Sequence, residues 1–442
     1  MRQKFACLLI FALLSGMPPA FGERLYVAAD IYSVPDTRAQ LDLGLASFLF
    51  QQARLACEQG DVGAALRLVE QVLSLNPDHA DARRVLGYRR VGEAWGGNYT
   101  ARRLARDEIW HRQFGWIRAE DAPRWKAGER PSGKQWISIA DDERRHATIE
   151  LGWQIRTDHF RVVTNHSREA AARLATRLET LYQIWRQQFG GCFLSPEDLL
   201  KRFDGKLTSG YRSKPFLVVY YKTRDEYNAA LRRDQPRIEM TLGIYFDTTH
   251  TAHFFAGEGQ DVGTIYHEAV HQYFQESARS ARQVGALANA WVIEGVACYF
   301  ESLIEHNDPK TGQYFTLGTP SAGRLPAARH RRLVNDFYVP LADLSALGMT
   351  DLQRRDDIAR LYSQSAGLAT FLMHHEEGRY RPALMKLLQL VYAGRDKAST
   401  LEELTGRRFS QLDQEYHEFL QQLAPTNANL LPTKPNHQGE SE

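Results

Sequence analysis

The sequence predicts an α+β protein, and three observations carry that expectation. From His159 onward, short runs rich in β-branched and aromatic residues alternate with amphipathic helical stretches. Residues 41–91 repeat apolar positions at helical spacing. Between Trp95 and Trp153 lie six of the chain's eight tryptophans, among glycines, charges and short β-like runs. The architecture that follows is a small mixed sheet with a helical lower lobe, preceded by a short helical segment and a small Trp-rich β module. The expected boundaries are a leader at 1–22, the helical segment at 23–94, the Trp-rich module at 95–155, the α+β domain at 156–424 and a tail at 425–442.

The chain opens with the basic Met1-Arg2-Gln3-Lys4, runs apolar from Phe5 to Met17 and reaches Ala20-Phe21-Gly22. A basic start, a short apolar core and small residues before a cut site describe a secretory signal peptide, so cleavage is expected near Gly22, with a soluble product in the periplasm or outside the cell. The apolar run is too short to span a bilayer comfortably, and no later run is long enough for a membrane span. Cys7 lies too early in it to be a lipid-attachment cysteine. Over the 442 residues, 55 Lys and Arg stand against 53 Asp and Glu, a net charge of +2. That near-balance argues against nucleic acid or an anionic surface as partner. The mature part keeps Cys57, Cys192 and Cys298 at irregular spacing, which allows at most one internal disulfide and leaves the fold to its apolar core.

In the helical segment, Ala64-Ala65-Leu66, Leu68-Val69 and Val72-Leu73 close at Asn76-Pro77, and Ala82, Val85, Leu86 and Gly87 follow in phase. Ala65, Pro77 and Gly87 make this stretch resemble one tetratricopeptide unit plus the first helix of a second. One and a half units cannot bury a core alone, so the segment is expected to brace the rest of the protein or to hold a protein partner. Strand-like runs at Gln135 to Ala140 and Thr148 to Ile155 mark the Trp-rich module. Its indoles are read chiefly as the core of a small β unit, with stacking on sugar rings as the alternative.

In the α+β domain, His159 to Thr164 reads as a strand, Asn165 or Ser167 caps a long helix to Phe189, and Gly190-Gly191 ends it. Pro215 to Tyr221 is a buried strand, and Thr223 opens the next helix. Gly243 to Phe246 and Thr251 to Phe255 form a further strand pair.

Next comes Tyr266-His267-Glu268-Ala269-Val270-His271. Residues four apart on an α-helix lie one turn above each other, so His267 and His271 can present two imidazoles to one cation while Glu268 leans over the open side. Asp261 caps the first turn, and Val262, Ile265, Tyr266, Ala269, Val270, Tyr273 and Phe274 cover two flanks. Hydrolytic zinc usually takes three protein ligands and keeps one position for water. Phe274 and Ser277 stand where an extended HExxHxxGxxH pattern would need Gly and His, so the third ligand lies elsewhere. Asn289 to Glu301 reads as an apolar helix carrying Glu294 where a core residue is expected, and such a carboxylate is costly unless paired or bound to metal.

His267-Glu268-x-x-His271 followed by Trp291-x-x-Glu294-Gly295-x-Ala297 resembles the gluzincin signature of the peptidase MA clan, nearest to a bacterial group of exported HExxH proteins. The resemblance runs from about Trp153 to about Ala424. It implies a gluzincin-like zinc metallopeptidase with one Zn2+ held by His267, His271 and Glu294, and Glu268 as general base on a water of lowered pKa. Gly243-Ile244-Tyr245-Phe246 looks like the clan's edge strand, which pairs with an extended peptide substrate. Tyr362-Ser363-Gln364-Ser365 looks like its Tyr-x-x-Ser, making Tyr362 the oxyanion donor by resemblance, with Tyr299, Tyr380 and several His residues as alternatives. Some gluzincins carry an acid one turn after the third ligand to orient a metal-binding histidine. Cys298 stands there, which leaves Glu301, Glu258 or a backbone carbonyl for that task.

His250 and His253, three apart in a strand region, and the run His374-His375-Glu376-Glu377 at a helix end are read as ordinary polar residues. A linker from Asn307 to Arg332 could lie over the cleft, and helices return at Asp351 to His375, Pro382 to Tyr392 and Ser410 to Leu423. The tail after Pro425 has the composition of a disordered segment. Against the peptidase stands one reading from another class, a non-catalytic scaffold of the same fold that works through its repeat-like and Trp-rich segments.

Overall fold

The computed structural model describes residues 24–25, 43–206, 214–258, 260–277, 280–308 and 312–423. The expected signal peptide and C-terminal tail lie outside the described residues. Among the described residues, no helix is long and apolar enough to cross a membrane.

A two-residue strand, β1 (Arg24–Leu25), precedes a helical arm of α1 (Leu43–Glu58), α2 (Val62–Leu75) and α3 (Ala80–Val85). Gly60 turns the chain at φ +87° and Asp61 caps α2, its Oδ1 accepting from the Ala64 amide at 2.8 Å. The arm's inner face, with Ala53, Cys57, Leu66 and Val69, packs on Leu199 and Phe203 of the main domain. A Cβ on Gly190 would meet Leu66 at 2.3 Å, so this glycine both ends its helix and admits the arm. The arm therefore buries its apolar face within the chain, as a brace does. The expected helical stretch to Val91 stops at Leu86, because Gly87 adopts φ +89° and releases the chain into a hairpin.

The Trp-rich region is built from three successive hairpin-and-helix units. They are β2 (Arg89–Val91), β3 (Ala94–Gly96) and α4 (Asn98–Leu104); β4 (Glu108–His111), β5 (Gly115–Arg118) and α5 (Ala122–Lys126); β6 (Glu129–Ser132), β7 (Gln135–Ser138) and α6 (Ile139–Arg145). Trp95, Trp116 and Trp136 are each the second residue of their unit's second strand. Trp95, Trp116 and Trp125 are buried, and Trp110 packs edge-on against Trp116 at 5.7 Å, so these rings make the module's core. Two expected strands are shorter. Ser138 accepts from the Asp141 amide at 3.1 Å and starts α6, which ends β7 there. Residues 149–151 form a 3-10 turn, so only β8 (Trp153–Arg156) remains of the second run, and it belongs to the main sheet.

That sheet has five strands in the order β11-β12-β10-β9-β8. β9 (Phe160–Thr164), β10 (Phe216–Tyr221) and β12 (Thr251–Phe255) run parallel, while β8 and β11 (Ile244–Phe246) add antiparallel edges. The chain is thus α+β with a mixed sheet. α7 (Arg168–Phe189), capped by Ser167, packs against it. α8 (Pro196–Phe203) and α9 (Arg224–Leu231) follow on the flanks. The main core joins Trp185 and Phe189 of α7 to Tyr273 and Phe274 of α10 (Val262–Ser277) and to Trp291 and Phe300 of α11 (Ala290–Phe300).

Among the described residues, the expected linker after Ile304 is structured. It contains the hairpin β13 (Ile304–Asp308) and β14 (Gly312–Thr316), which β1 joins at its edge, and then α12 (Leu325–Leu333). The lower lobe is α13 (Leu341–Ser345), α14 (Met349–Gln353), α15 (Ile358–His374), α16 (Arg381–Tyr392), α17 (Thr400–Thr405) and α18 (Phe409–Gln422). The single helix expected over Asp351 to His375 is two, broken at Arg355, which clamps Asp357 through two bonds of 2.8 Å. Cys57, Cys192 and Cys298 are buried free thiols, and no disulfide joins them.

Candidate metal centre

α10 starts as its sequence requires. Asp261 accepts from the Thr264 amide at 2.7 Å and the Thr264 hydroxyl at 2.9 Å, satisfying the first turn. Ile265, Tyr266, Ala269, Val270, Tyr273 and Phe274 are all buried, which fixes the helix's rotation and leaves His267, Glu268 and His271 toward α11 and the sheet edge.

α11 is buried along its whole length, Glu294 included. Gly295 explains how it sits so close to the lower lobe. A Cβ there would stand 2.6 Å from the Ser365 carbonyl oxygen on α15. The two stretches picked out separately in the sequence, Trp291 to Ala297 and Tyr362 to Ser365, thus pack on each other, and Tyr362, one turn before Ser365, comes over the histidines. Its ring lies 6.4 Å from that of His267, tilted by 21°.

The three expected ligands converge. His267 Nε2 lies 3.0 Å from His271 Nε2 and 3.3 Å from Glu294 Oε2, and His271 Nε2 lies 3.5 Å from the same oxygen. Donors at ~2.0–2.1 Å from a tetrahedral zinc stand ~3.3–3.4 Å apart, so this triangle has the size of three zinc ligands. Two neutral imidazoles and a carboxylate are also a donor set zinc accepts. Burial works to raise the Glu294 carboxyl, but His271 and His267 outweigh it and hold the pKa well below the usual carboxylate range. Burial likewise depresses His267, while Cys298, Glu294 and Glu301 push harder the other way and raise it well above its ordinary value. The centre is therefore a negatively biased pocket that attracts either protons or a cation.

Glu301 supplies the acid that Cys298 does not. Its Oε1 lies 2.9 Å from His267 Nδ1, which directs Nε2 toward Glu294 and His271. Arg324 grips the same carboxylate, Nε to Oε2 at 2.7 Å and Nη2 to Oε1 at 2.9 Å. Although burial opposes it, the bonds to His267 and Arg324 bring Glu301 down to about 2. Of the alternatives, Glu258 is exposed on the turn before α10. Cys298 is a packed residue whose Sγ lies 3.8 Å from His267 Nδ1 and whose thiol burial pushes up. His267, Cys298 and Glu301 also cluster closely enough for a metal. Because Arg324 already occupies both Glu301 oxygens, a cation there would face a guanidinium. Arg324 was not picked out from the sequence, since it lies in the stretch read as a linker.

Glu268 is half-buried, and its Oε2 accepts from the Tyr245 amide at 2.9 Å. Tyr245 lies in the middle of β11, paired on its inner side with β12, so this amide points outward from the sheet edge. The expected edge strand therefore borders the centre. Tyr362 is held protonated, its pKa raised by burial first and then by Glu294, Cys298 and Glu268. The other tyrosines weighed for its role are engaged elsewhere, Tyr299 on His374 at 2.7 Å and Tyr380 on Glu415 at 2.5 Å. His250 sits in a loop at φ +52°. His253 is buried beside the Tyr221 hydroxyl at 3.3 Å and lowered by burial to about 4, so neither joins the centre.

No known protein family matches the chain, and no curated protein matches its sequence.

Proposed function

We propose that the protein is a zinc-dependent peptidase, exported if the N-terminal 22 residues act as the signal peptide they resemble. The observation that carries this reading is the triangle of His267 Nε2, His271 Nε2 and Glu294 Oε2, with a carboxylate that is not one of its corners, Glu268, next to His267 on α10 and held by the Tyr245 amide. A zinc ion bound there supplies Lewis acidity, which brings the pKa of a water toward about 7 and polarises a carbonyl. Glu268 takes the proton from the attacking water on a carboxylate oxygen and returns it to the leaving amine. The Tyr245 amide orients Glu268 for this. Tyr362 stays neutral and offers its hydroxyl hydrogen to the oxygen of the scissile group as negative charge builds on it. β11 is the edge of the sheet and borders the centre, a place where an extended chain can lie alongside a strand, which favours a peptide or protein as substrate.

The test is made on the mature chain from Glu23, with zinc content and hydrolysis of a broad peptide library measured together. The reading expects near-stoichiometric zinc in the wild type, its loss in Glu294→Ala, and a zinc-loaded but inactive Glu268→Gln. A folded wild type that takes up no zinc would move the assignment to the scaffold reading. Undiminished hydrolysis by Glu268→Gln would remove the proposed base.

A further inference from the structure

Where α7 and α10 end against α16, the chain leaves a pocket of about 230 Å3. One wall follows a single stripe of α16 and its exit, Lys386, Gln389, Leu390 and Ala393, spaced i, i+3, i+4 and i+7. The buried part of the lining is aromatic. Phe193 and Phe274 stand 5.5 Å apart between ring centres, and the Tyr392 ring stacks on Phe274 at 5.4 Å. Trp185 of α7 backs this layer, 4.9 Å from Phe193 and 5.3 Å from Phe274. An apolar cavity of ~150 Å3 is enough for a benzene ring, so this one admits a ring with a short chain attached.

The acceptors around the pocket are already spent. The carbonyls of Gly191 and Cys192, just past α7, accept from Gln389 Nε2 at 3.2 and 3.3 Å. The last turn of α16 is closed by the amides of Ala393, Gly394 and Arg395, which bond the carbonyls of Gln389, Val391 and Leu390. The Cys192 thiol lies 3.7 Å from the Met385 carbonyl, and burial pushes it up, so it is a packed, neutral group. What remains is positive. Lys386 begins the stripe and Arg395 follows it, and both are exposed. Among the described residues neither side chain makes an ion pair or a hydrogen bond, and no acidic residue lines the pocket. Asp396, next to Arg395 in sequence, is taken by the Asn289 side-chain amide at 2.9 Å.

We propose that this pocket binds a small aromatic carboxylate, its ring against Phe193, Phe274 and Tyr392 and its charge at the mouth on Lys386 and Arg395. A further ring extends the tilted and stacked contacts that the layer already makes. A carboxylate at the mouth gains charge-assisted bonds and displaces no existing ion pair. A free acid and the terminal residue of a peptide ending in phenylalanine offer the same chemistry. The proposal makes no demand on the metal centre.

The test is equilibrium dialysis of the full mature chain against phenylacetate, with phenylacetamide, acetate and a tripeptide of two alanines and a terminal phenylalanine as separate arms. Saturable uptake of phenylacetate is expected, with a change in tryptophan fluorescence because Trp185 lies behind the pocket's rings. The neutral amide should bind several-fold more weakly and acetate not at all. Lys386→Gln and Arg395→Gln should each weaken phenylacetate by about two- to fivefold, the scale of an exposed ion pair, with circular dichroism and amide binding unchanged. Ala393→Leu, which puts bulk into the pocket, should weaken acid and amide together. A tripeptide that binds as tightly as phenylacetate assigns the pocket to a chain end, and one that is excluded assigns it to a free acid. No uptake of phenylacetate, equal binding of the amide, or a folded Lys386→Gln, Arg395→Gln double variant that binds as the wild type would each overturn the proposal.

Discussion

His267 donates its Nδ1–H to Glu301 across 2.9 Å, and the recipient carboxylate is itself fixed by both arms of Arg324. This chain sets the imidazole's tautomer and aims Nε2 at the same point as His271 and Glu294. Glu301→Gln keeps the shape but removes the charge that raises the ring's basicity. It is expected to weaken zinc ~10–100-fold, the usual effect of losing such a partner. Competition with a chromophoric chelator measures this, and an unchanged affinity would show that the histidine is oriented by packing alone.

Tyr362 lies over His267 with its hydroxyl protonated, and the Arg324 guanidinium sits 5.7 Å from its ring. If it stabilises charge on the substrate oxygen, Tyr362→Phe should lower kcat by ~10²–10³ while leaving KM and zinc content nearly unchanged. A rise in KM at constant kcat would instead make it a ground-state contact.

Gly295 sets the distance between α11 and α15, since a Cβ would stand 2.6 Å from the Ser365 oxygen. Backbone cannot yield there as a flexible side chain can. Gly295→Ala is expected to destabilise the fold by about 1–3 kcal/mol and to displace Tyr362. Thermal unfolding and kcat should therefore fall together, and a variant as stable and as active as the wild type would contradict the packing argument.

The parts of this fold that were legible in the sequence are those set by local geometry. His267 and His271 declare a shared face because helical spacing alone places them there, and Glu294 stands out because an acid in an apolar helix needs a partner. β9, β10 and β12 read as strands because their residues are buried and β-branched or aromatic. Arg324 reaches Glu301 across a hairpin whose residues carry no clear period, so no spacing announces the contact. The three-unit repeat was hidden for a related reason. Its strands are three or four residues long, and Trp110 and Trp125 interrupt the regular series of Trp95, Trp116 and Trp136. What finds it is the common position of those three rings after their turns.

The arm's attachment to α7 should depend on pH through Glu70. This residue of α2 is 8% exposed, and burial, only partly offset by Arg186, Gln187 and Arg83, raises its carboxyl to about 7. Its folded pKa thus lies above the unfolded value near 4.5, so the native state binds the proton more tightly than the unfolded chain does. Below pH ~4.5 both states are protonated and there is no penalty; between there and pH ~7 stability falls, and above it the full cost of about 3 kcal/mol is present. Glu70→Gln removes the charge at similar volume. It should make the protein about 2–3 kcal/mol more stable at pH 8 and leave it unchanged at pH 4, as measured by urea unfolding. An increment that stays constant across that range would mean that Glu70 does not titrate between the two states, and that its carboxylate is satisfied by Arg186 and Arg83 after all.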